Sequence, residues 1–235
     1  MTMAEQKIKI IFQTRLSSSR LPAKALLDVG GYPAIVLAVK RAGNCGRPVT
    51  VATSTDPSDD ILCDVLERCS IDFVRGPLDD VMARYIKATR DMEDGDIVVR
   101  MTGDNLLPDG TFVENYLKEF LRSSADYMGS SGTDIDLPYG LSTEFFRVGG
   151  LRRIASTDFS PYSREHVTPP FFQNKVRVVP ERKAVTTLRE GLRDQRCTMD
   201  SFEDYIRVCR IFKGEQDPVH VSWEDLCRKL DNMNQ

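Results

Sequence analysis

The chain has 235 residues, enough for one large core, and its 41% hydrophobic and 29% charged residues mark an ordinary globular protein. A net charge of -3 argues against a nucleic-acid partner, which calls for a basic surplus. No apolar run approaches the roughly 18 residues of a membrane span, and no apolar signal core opens the sequence, so a cytoplasmic protein without a membrane partner is expected.

In chain order, "KIKIIF" (7–12), "VTVAT" (49–53), "IDFVRG" (71–76) and "DIVVRM" (96–101) read as short apolar strands. Between them "PAIVLAVKRA" (33–42), "PSDDILCDVLERC" (57–69) and "DDVMARYIKATRDM" (79–92) read as helices, the second opened by Asp56 and Pro57. Strands alternating with helices imply a mostly parallel sheet covered on both faces, an α/β fold. Beyond residue 108 the pattern loosens. A helix is expected over 108–123, strands over 125–130 and 141–148, a helix near 149–156, and a helical start over 163–172 stopped by Pro169 and Pro170. "KVRVV" (175–179) and "QRCTMD" (195–200) read as the last strands, before a helix over 201–214 capped by Ser201.

Six cysteines without a CxxC pair point to free thiols rather than a disulfide or zinc framework. Only His166 and His220 are available for histidine chemistry, and no GxSxG elbow accompanies them.

In open α/β sheets ligands sit beyond the carboxyl ends of the strands. Four stretches fall there: "QTRLSSSRLPAKALL" (13–27), Thr53-Ser54, Arg75-Gly76 and "TGDN" (102–105). The first interleaves Arg15, Arg20 and Lys24 with Ser17, Ser18 and Ser19, a mixture of cations and hydroxyls suited to a polyphosphate. It is neither a Walker loop nor a GxGxxG fingerprint, and an ordinary solvated basic loop is the alternative. Asp104 and Asp200 each follow a strand-like run, where a carboxylate can hold Mg²⁺ or merely cap a helix or turn.

"IIFQTRLSSSRLPAKALLDVGGYPAI", "VATSTDPSDD", "FVRGPLDDVMARY", "DIVVRMTGDNLLPD", "PYGLSTEFF", "REHVTP" and "TMDSFEDY" together resemble, in order and spacing, the CMP-sugar cytidylyltransferases. The likeness covers roughly residues 7 to 214. It is greatest to the branch named for spore coat polysaccharide biosynthesis protein F, and more distant to the enzymes that activate acylneuraminate and 3-deoxy-manno-octulosonate.

The resemblance implies a nucleotide-diphospho-sugar transferase fold, a Rossmann-like three-layer α/β/α arrangement, and transfer of CMP from CTP to a small anionic acceptor. It casts Arg15, Arg20 and Lys24 as the catalytic triphosphate clamp and Asp104 and Asp200 as Mg²⁺ ligands. Gln13, Thr14, Ser19, Thr102 and Gly103 would join the clamp in holding the nucleotide. Ala52, Thr53, Ser54, Arg75 and Asp80 would line cytosine and ribose, while Tyr139, Glu144, Arg164, Glu165 and His166 would face the acceptor. One domain over 1–235 is expected: a nucleotide half (7–108), an acceptor and dimerisation half (109–214) and a C-terminal tail (215–235). Phe145, Phe146, Phe171 and Phe172 either pair two copies as a homodimer or fill the core of one chain. The family's acceptor-side aspartates are replaced by Tyr139 and Ser142, and the proline of its G-D-x-P-L by Leu106, which leaves the acceptor open. A glycosyltransferase of the same broad fold would want a D-x-D after the fourth strand, where "GDN" stands. An inactive nucleotide-binding module is the remaining alternative.

Overall fold

Alternation along the first strand builds the layers. In β1 (Ile8–Gln13), Ile10 and Phe12 point into one apolar cluster and Ile11 into the other, so both sheet faces must be covered. The computed structural model describes residues 6–129, 136–173, 177–178, 186 and 188–233. After β1 comes a small hairpin, β2 (Asp28–Val29) and β3 (Tyr32–Pro33), and then α1 (Ala34–Ala42). β4 (Val49–Ser54), α2 (Asp60–Arg68), β5 (Asp72–Gly76), α3 (Val81–Ala88) and β6 (Ile97–Thr102) follow in strict alternation. β4 and β6 flank β1 and β5 pairs β4, all in parallel.

The later part holds α4 (Gly110–Arg122), β7 (Tyr127–Gly129), β8 (Glu144–Arg147), α5 (Val148–Thr157), α6 (Pro161–His166), α7 (Pro169–Gln173) and β9 (Arg177–Val178). Among the described residues the sheet runs β5-β4-β1-β6-β8-β7-β9, with β8 antiparallel to both neighbours. α1, α2 and α4 supply Leu37, Leu66 and Phe112 to the cluster on one face, and α3 and α5 supply Tyr85 and Leu151 to the other. This is the expected three-layer α/β/α fold. The chain moves outward from β1 through β4 to β5 and returns to the other side of β1 at β6. The switch in strand order therefore lies between β1 and β6.

Three expectations need correction, and one alternative is decided. Residues 195–200 form no strand of the sheet. They are tied by two isolated bridges, Asn105 to Thr198 and Tyr139 to Arg196. Pro169 and Pro170 do not stop a helix, since α6 ends at His166 and Pro169 opens α7, where a missing N–H leaves no bond unmade. Phe145, Phe146 and Phe171 are buried in the chain's own core, with Phe120 stacked on Phe145 and Phe146 on Phe171, so these rings offer nothing to a second copy. The Phe172 side chain lies outside the described residues.

The expected tail is no tail. After the helix Phe202–Phe212, the chain closes on the core with a helix over Trp223–Asn232. Trp223 packs edge-on against Phe112 at 5.2 Å, and its amide donates to the Asp109 carboxylate at 3.0 Å. The fully buried Arg41 of α1 donates to the carbonyls of Leu106, Leu107, Pro218 and Val221. Burial draws its guanidinium down to about 10. Trp223→Ala is expected to lower the unfolding free energy by about 3–5 kcal/mol, followed by circular dichroism in urea. A loss below about 1 kcal/mol would show that this helix only rests on the surface.

Candidate functional site

Two adjoining hollows of about 410 and 450 Å³ open at the carboxyl ends of β1 and β6, on the switch point of the sheet. Both are lined by Gln13, Arg20, Thr102, Asp104, His166 and Asp200. The larger adds Thr14, Arg15, Ser17, Ser18, Ser19, Lys24, Gly103 and Glu165. The other adds Arg100, Asn105, Tyr139, Gly140, Ser142 and Thr198.

The loop after β1 is built around one peptide. The Leu16 carbonyl accepts the amides of Ser18 (2.8 Å) and Ala23 (2.9 Å), which folds residues 16 to 23 into a closed turn. Ala23 adopts φ 56°, the left-handed region that costs an L residue, and hands the chain into a short 3₁₀ turn over Lys24–Leu26. Lys24 thereby points back into the hollow. Its ammonium lies 2.7 Å from Asp104 Oδ2 and 2.9 Å from Asp200 Oδ1.

Each carboxylate reaches this point by a different device. Asp104 follows β6 through Gly103, whose amide donates to the Gln13 carbonyl at 3.0 Å. A Cβ at Gly103 would stand 2.8 Å from Thr14 Oγ1 and 2.9 Å from Thr14 Cβ, so only glycine lets the two strand ends approach. Asp200 arrives on the 195–200 segment. The Met199 amide donates to the Asp104 carbonyl at 3.0 Å, and Gly140 (φ 101°) gives Thr198 room. Asp200 caps nothing: Ser201 and Asp204 form the capping box of the following helix. Its oxygens face Lys24, Arg20 at 3.1 Å and Arg196 at 2.6 Å.

Burial by itself would raise the Asp200 pKa, but Lys24, Arg20 and Arg196 outweigh it and hold the carboxyl below its usual value. Burial likewise opposes the Lys24 charge, and the two carboxylates overcome it, leaving the ammonium more basic than normal. Arg15 and Arg20 are freer. Arg15 is 36% exposed and reaches Glu165 and Asp79 only at 3.6 and 3.9 Å, while the Arg20 side chain is 66% exposed. Their donors remain largely available to a ligand.

The sequence-predicted residues divide accordingly. Gln13, Thr14, Arg15, Ser19, Lys24, Thr102, Gly103, Asp104, Asp200, Tyr139, Glu165 and His166 all line the two hollows. Ala52, Thr53 and Ser54 do not. All three are fully buried at the end of β4, and both hydroxyls are committed to the Asp59 carboxylate. Arg75 is bound to the Ser54 and Asp56 carbonyls and to Asp60. Asp80 caps α3 through the Ala83 amide and pairs with Arg164 at 3.0 Å, so these two form a brace between helices. Glu144 takes donors from Arg100 and Tyr127, one charge neutralising the other at the β6–β8 pairing.

Asp59 and Arg84 were not foreseen. Arg84, 2% exposed, donates to the Ala52 carbonyl at 3.3 Å and the Leu78 carbonyl at 3.2 Å, and it lines a smaller hollow of about 160 Å³ beside Thr14 and Arg15. In sequence, Asp59 is one acid in "DPSDD" and Arg84 one cation of an amphipathic helix, and neither pattern separates them from surface charges. Arg100 carried a usable signal, a charge inside an apolar strand.

The cytidylyltransferase family model matches residues 9–221. The chain belongs to the cytidylyltransferase family. It is similar to the spore coat polysaccharide biosynthesis protein SpsF of Bacillus subtilis, with 24% identity over 237 residues, 95% of this chain and 94% of that protein. A 3-deoxy-manno-octulosonate cytidylyltransferase of Bradyrhizobium sp. is 47% identical over 55 residues, 23% of this chain and 22% of the relative. Among solved structures, a cytidylyltransferase from Leptospira borgpetersenii serovar Hardjo-bovis has a TM-score of 0.85 at 23% identity, covering 98% of this chain and 96% of that one. A CMP:2-keto-3-deoxy-manno-octonic acid synthetase complexed with CTP has a TM-score of 0.60 at 17% identity, covering 87% and 97%. Both share the nucleotide-diphospho-sugar transferase fold with this cytidylyltransferase.

Lys24→Met leaves two partly buried carboxylates facing each other, and should lower stability by about 1–3 kcal/mol near pH 7. The depressed Asp200 pKa contributes stability above the unfolded carboxyl value of about 3.9, lost as pH falls through the lower folded value. The raised Lys24 pKa contributes below 10.5, lost as pH rises through the folded value. The difference between the two proteins should therefore be flat from about pH 5 to 9 and shrink on either side. Urea titrations across pH check this. A difference that persists undiminished at pH 2 would rule out the pairing.

Proposed function

We propose that this cytidylyltransferase moves CMP from CTP to a small anionic acceptor, a sugar acid or a phosphorylated or phosphonate compound, with release of pyrophosphate. The product would feed surface-polysaccharide or related glycoconjugate synthesis in the cytoplasm. One observation carries the reading: Lys24 joins Asp104 to Asp200 beneath the Arg15–Arg20 loop, so cations for a triphosphate and carboxylates for a metal converge on one hollow. The relatives named for CTP and 3-deoxy-manno-octulosonate support the nucleotide and the acceptor class, and SpsF supports the polysaccharide setting. Pairing of two copies belongs to the proposal on family likeness alone.

An acceptor oxygen forms a bond to the α-phosphorus as the bond to the bridging β-phosphate oxygen breaks, and pyrophosphate carries away the electron pair. Arg15, Arg20 and Lys24 offset the charge of the bound triphosphate and of the departing pyrophosphate. Thr14, Ser17, Ser18 and Ser19 offer hydroxyls to phosphate oxygens. Tyr139, Arg100, Asn105 and Ser142 face the acceptor from the other hollow, next to His166. A phosphate or phosphonate oxygen attacks as an anion and needs no general base, whereas a sugar-acid hydroxyl would give up its proton with the help of the metal or a nearby carboxylate.

Mg²⁺ fits the donor set. Asp104 and Asp200 already share one cation, the Lys24 ammonium, and hard carboxylate oxygens suit a metal that also binds phosphate. Such a metal would supply charge neutralisation at the phosphates and at the attacking oxygen.

Pyrophosphate release from CTP with sugar-acid and phosphorylated acceptors tests the reaction, and calorimetry tests the nucleotide. CTP should bind at least about tenfold more tightly than ATP or GTP, the preference that the cytidylyltransferase family supports. Equal affinity for a purine nucleotide would end the assignment.

Asp104→Asn and Asp200→Asn should each reduce turnover by about a hundredfold or more while CTP affinity falls much less, since the loop cations remain. Chelation should have the same effect and added Mg²⁺ should reverse it. Near-normal turnover in a folded variant would remove that carboxylate from the reaction.

A further inference from the structure

Asp59 occupies the N-cap position of α2, where an aspartate ordinarily accepts an amide of its own first turn. It does not. Asp56 caps the preceding 3₁₀ turn through the Ser58 amide, and the Asp59 side chain turns inward. There it is fully buried and makes no ion pair among the described residues. Its charge is met by hydrogen bonds instead: Oδ1 accepts the Leu16 amide at 2.7 Å, and Oδ2 accepts the Thr53 hydroxyl at 3.1 Å, the Ser54 amide at 3.2 Å and the Ser54 hydroxyl. A carboxylate cut off from water demands donors from every direction.

The bond to Leu16 is the one that leaves the α2 end. Leu16 is the residue whose carbonyl closes the loop on Ser18 and Ala23, and its neighbours are Arg15 and, past the closed turn, Lys24. With its N–H held by Asp59 and its carbonyl held by two amides, both peptide units that flank the Leu16 Cα are anchored. Residues 15 to 24 have no sheet or α-helix to hold them, so their shape depends on such anchors.

We propose that Asp59 is a positioning residue of the reaction: by fixing the Leu16 peptide it sets the geometry in which Arg15, Arg20 and Lys24 receive a triphosphate. The proposal rests on the CTP-dependent reading above. It explains why Thr53 and Ser54 carry hydroxyls although they face no hollow. They complete the donor set of the anchor rather than touch the nucleotide.

Asp59→Asn preserves volume but replaces one acceptor with a donor that must face an N–H. Asp109→Asn is the matched control, a buried aspartate that accepts the amides of Phe112 (2.9 Å) and Trp223 (3.0 Å) away from the loop. Calorimetry with CTP and hydrogen exchange of residues 14–24, both well below the melting temperatures, give two readouts. Asp59→Asn should weaken CTP binding by about tenfold or more and raise loop exchange by a similar factor. Asp109→Asn should lower the melting temperature and change neither. Unchanged loop exchange, a loosened loop with unchanged CTP affinity, or equal effects from both variants would each overturn the proposal. If Asp59→Asn does not fold, Ser54→Ala removes one donor to the same carboxylate, and it should show both changes at about threefold or more. No response to that variant overturns the idea as well. Should the unaltered protein bind no CTP, the cytidylyl-transfer reading falls, and the loop-exchange comparison decides Asp59 without it.

Discussion

The ammonium of Lys24 lies between two carboxylates that are far apart in the sequence. Asp104 stands at the end of a central parallel strand, and Asp200 on an irregular segment pinned to that strand end by single bridges. Two partly buried carboxylates this close would repel each other, so the cation is what allows them to share a wall. The loop bearing Lys24 is thereby tied to β6 and to the 195–200 segment at once. That tie closes the ring of residues around the hollow.

The architecture beneath explains why the ring forms at this place. The strand order reverses between β1 and β6, and the chain runs on from their carboxyl ends toward opposite edges of the sheet, so a crevice opens there for a topological reason. Gly103 lets the two strand ends come together, and the Arg41 guanidinium, spent on backbone carbonyls, anchors the chain that follows β6. The charges near the hollow thus fall into two groups. Arg41, Arg84 and Asp59 hold backbone, whereas Arg15, Arg20, Lys24, Asp104 and Asp200 line the hollow. Exposure separates the groups. The scaffold charges are sealed, with Arg84 Nε left without a hydrogen-bond partner among the described residues, and most of those lining the hollow keep contact with water.

That division also shows where reading the sequence stopped short. Thr53, Ser54, Arg75 and Asp80 sit at strand ends and carry polar side chains, which is all that a sequence pattern can register. The structure spends each of them on internal bonds. Glu144, expected at the acceptor, is spent on Arg100 and Tyr127 in the same way. Residues 195–200 have the apolar and polar spacing of a strand, yet bridge only at single residues, to Asn105 and Tyr139 rather than to a strand of the sheet. Phe145, Phe146 and Phe171 fill the core, one of the two readings the sequence left open, since an aromatic pattern looks the same whether it faces a neighbour or its own core.

The sequence by itself determined the alternation of strands and helices, the parallel sheet with two covered faces, and the loop and carboxylates of the site. These follow from local periodicity, from residue chemistry, and from the order and spacing of motifs that resemble a family. Only the tertiary structure decided which polar groups line the hollows and which are consumed by one another. It also decided that the last helix belongs to the core, that one lysine spans both aspartates, and that Asp59 turns from its own helix toward a distant loop. The physical reason is common to all of these. A side chain's hydrogen-bonding capacity is finite, and whether a neighbour or a ligand uses it depends on contacts between residues far apart in the chain.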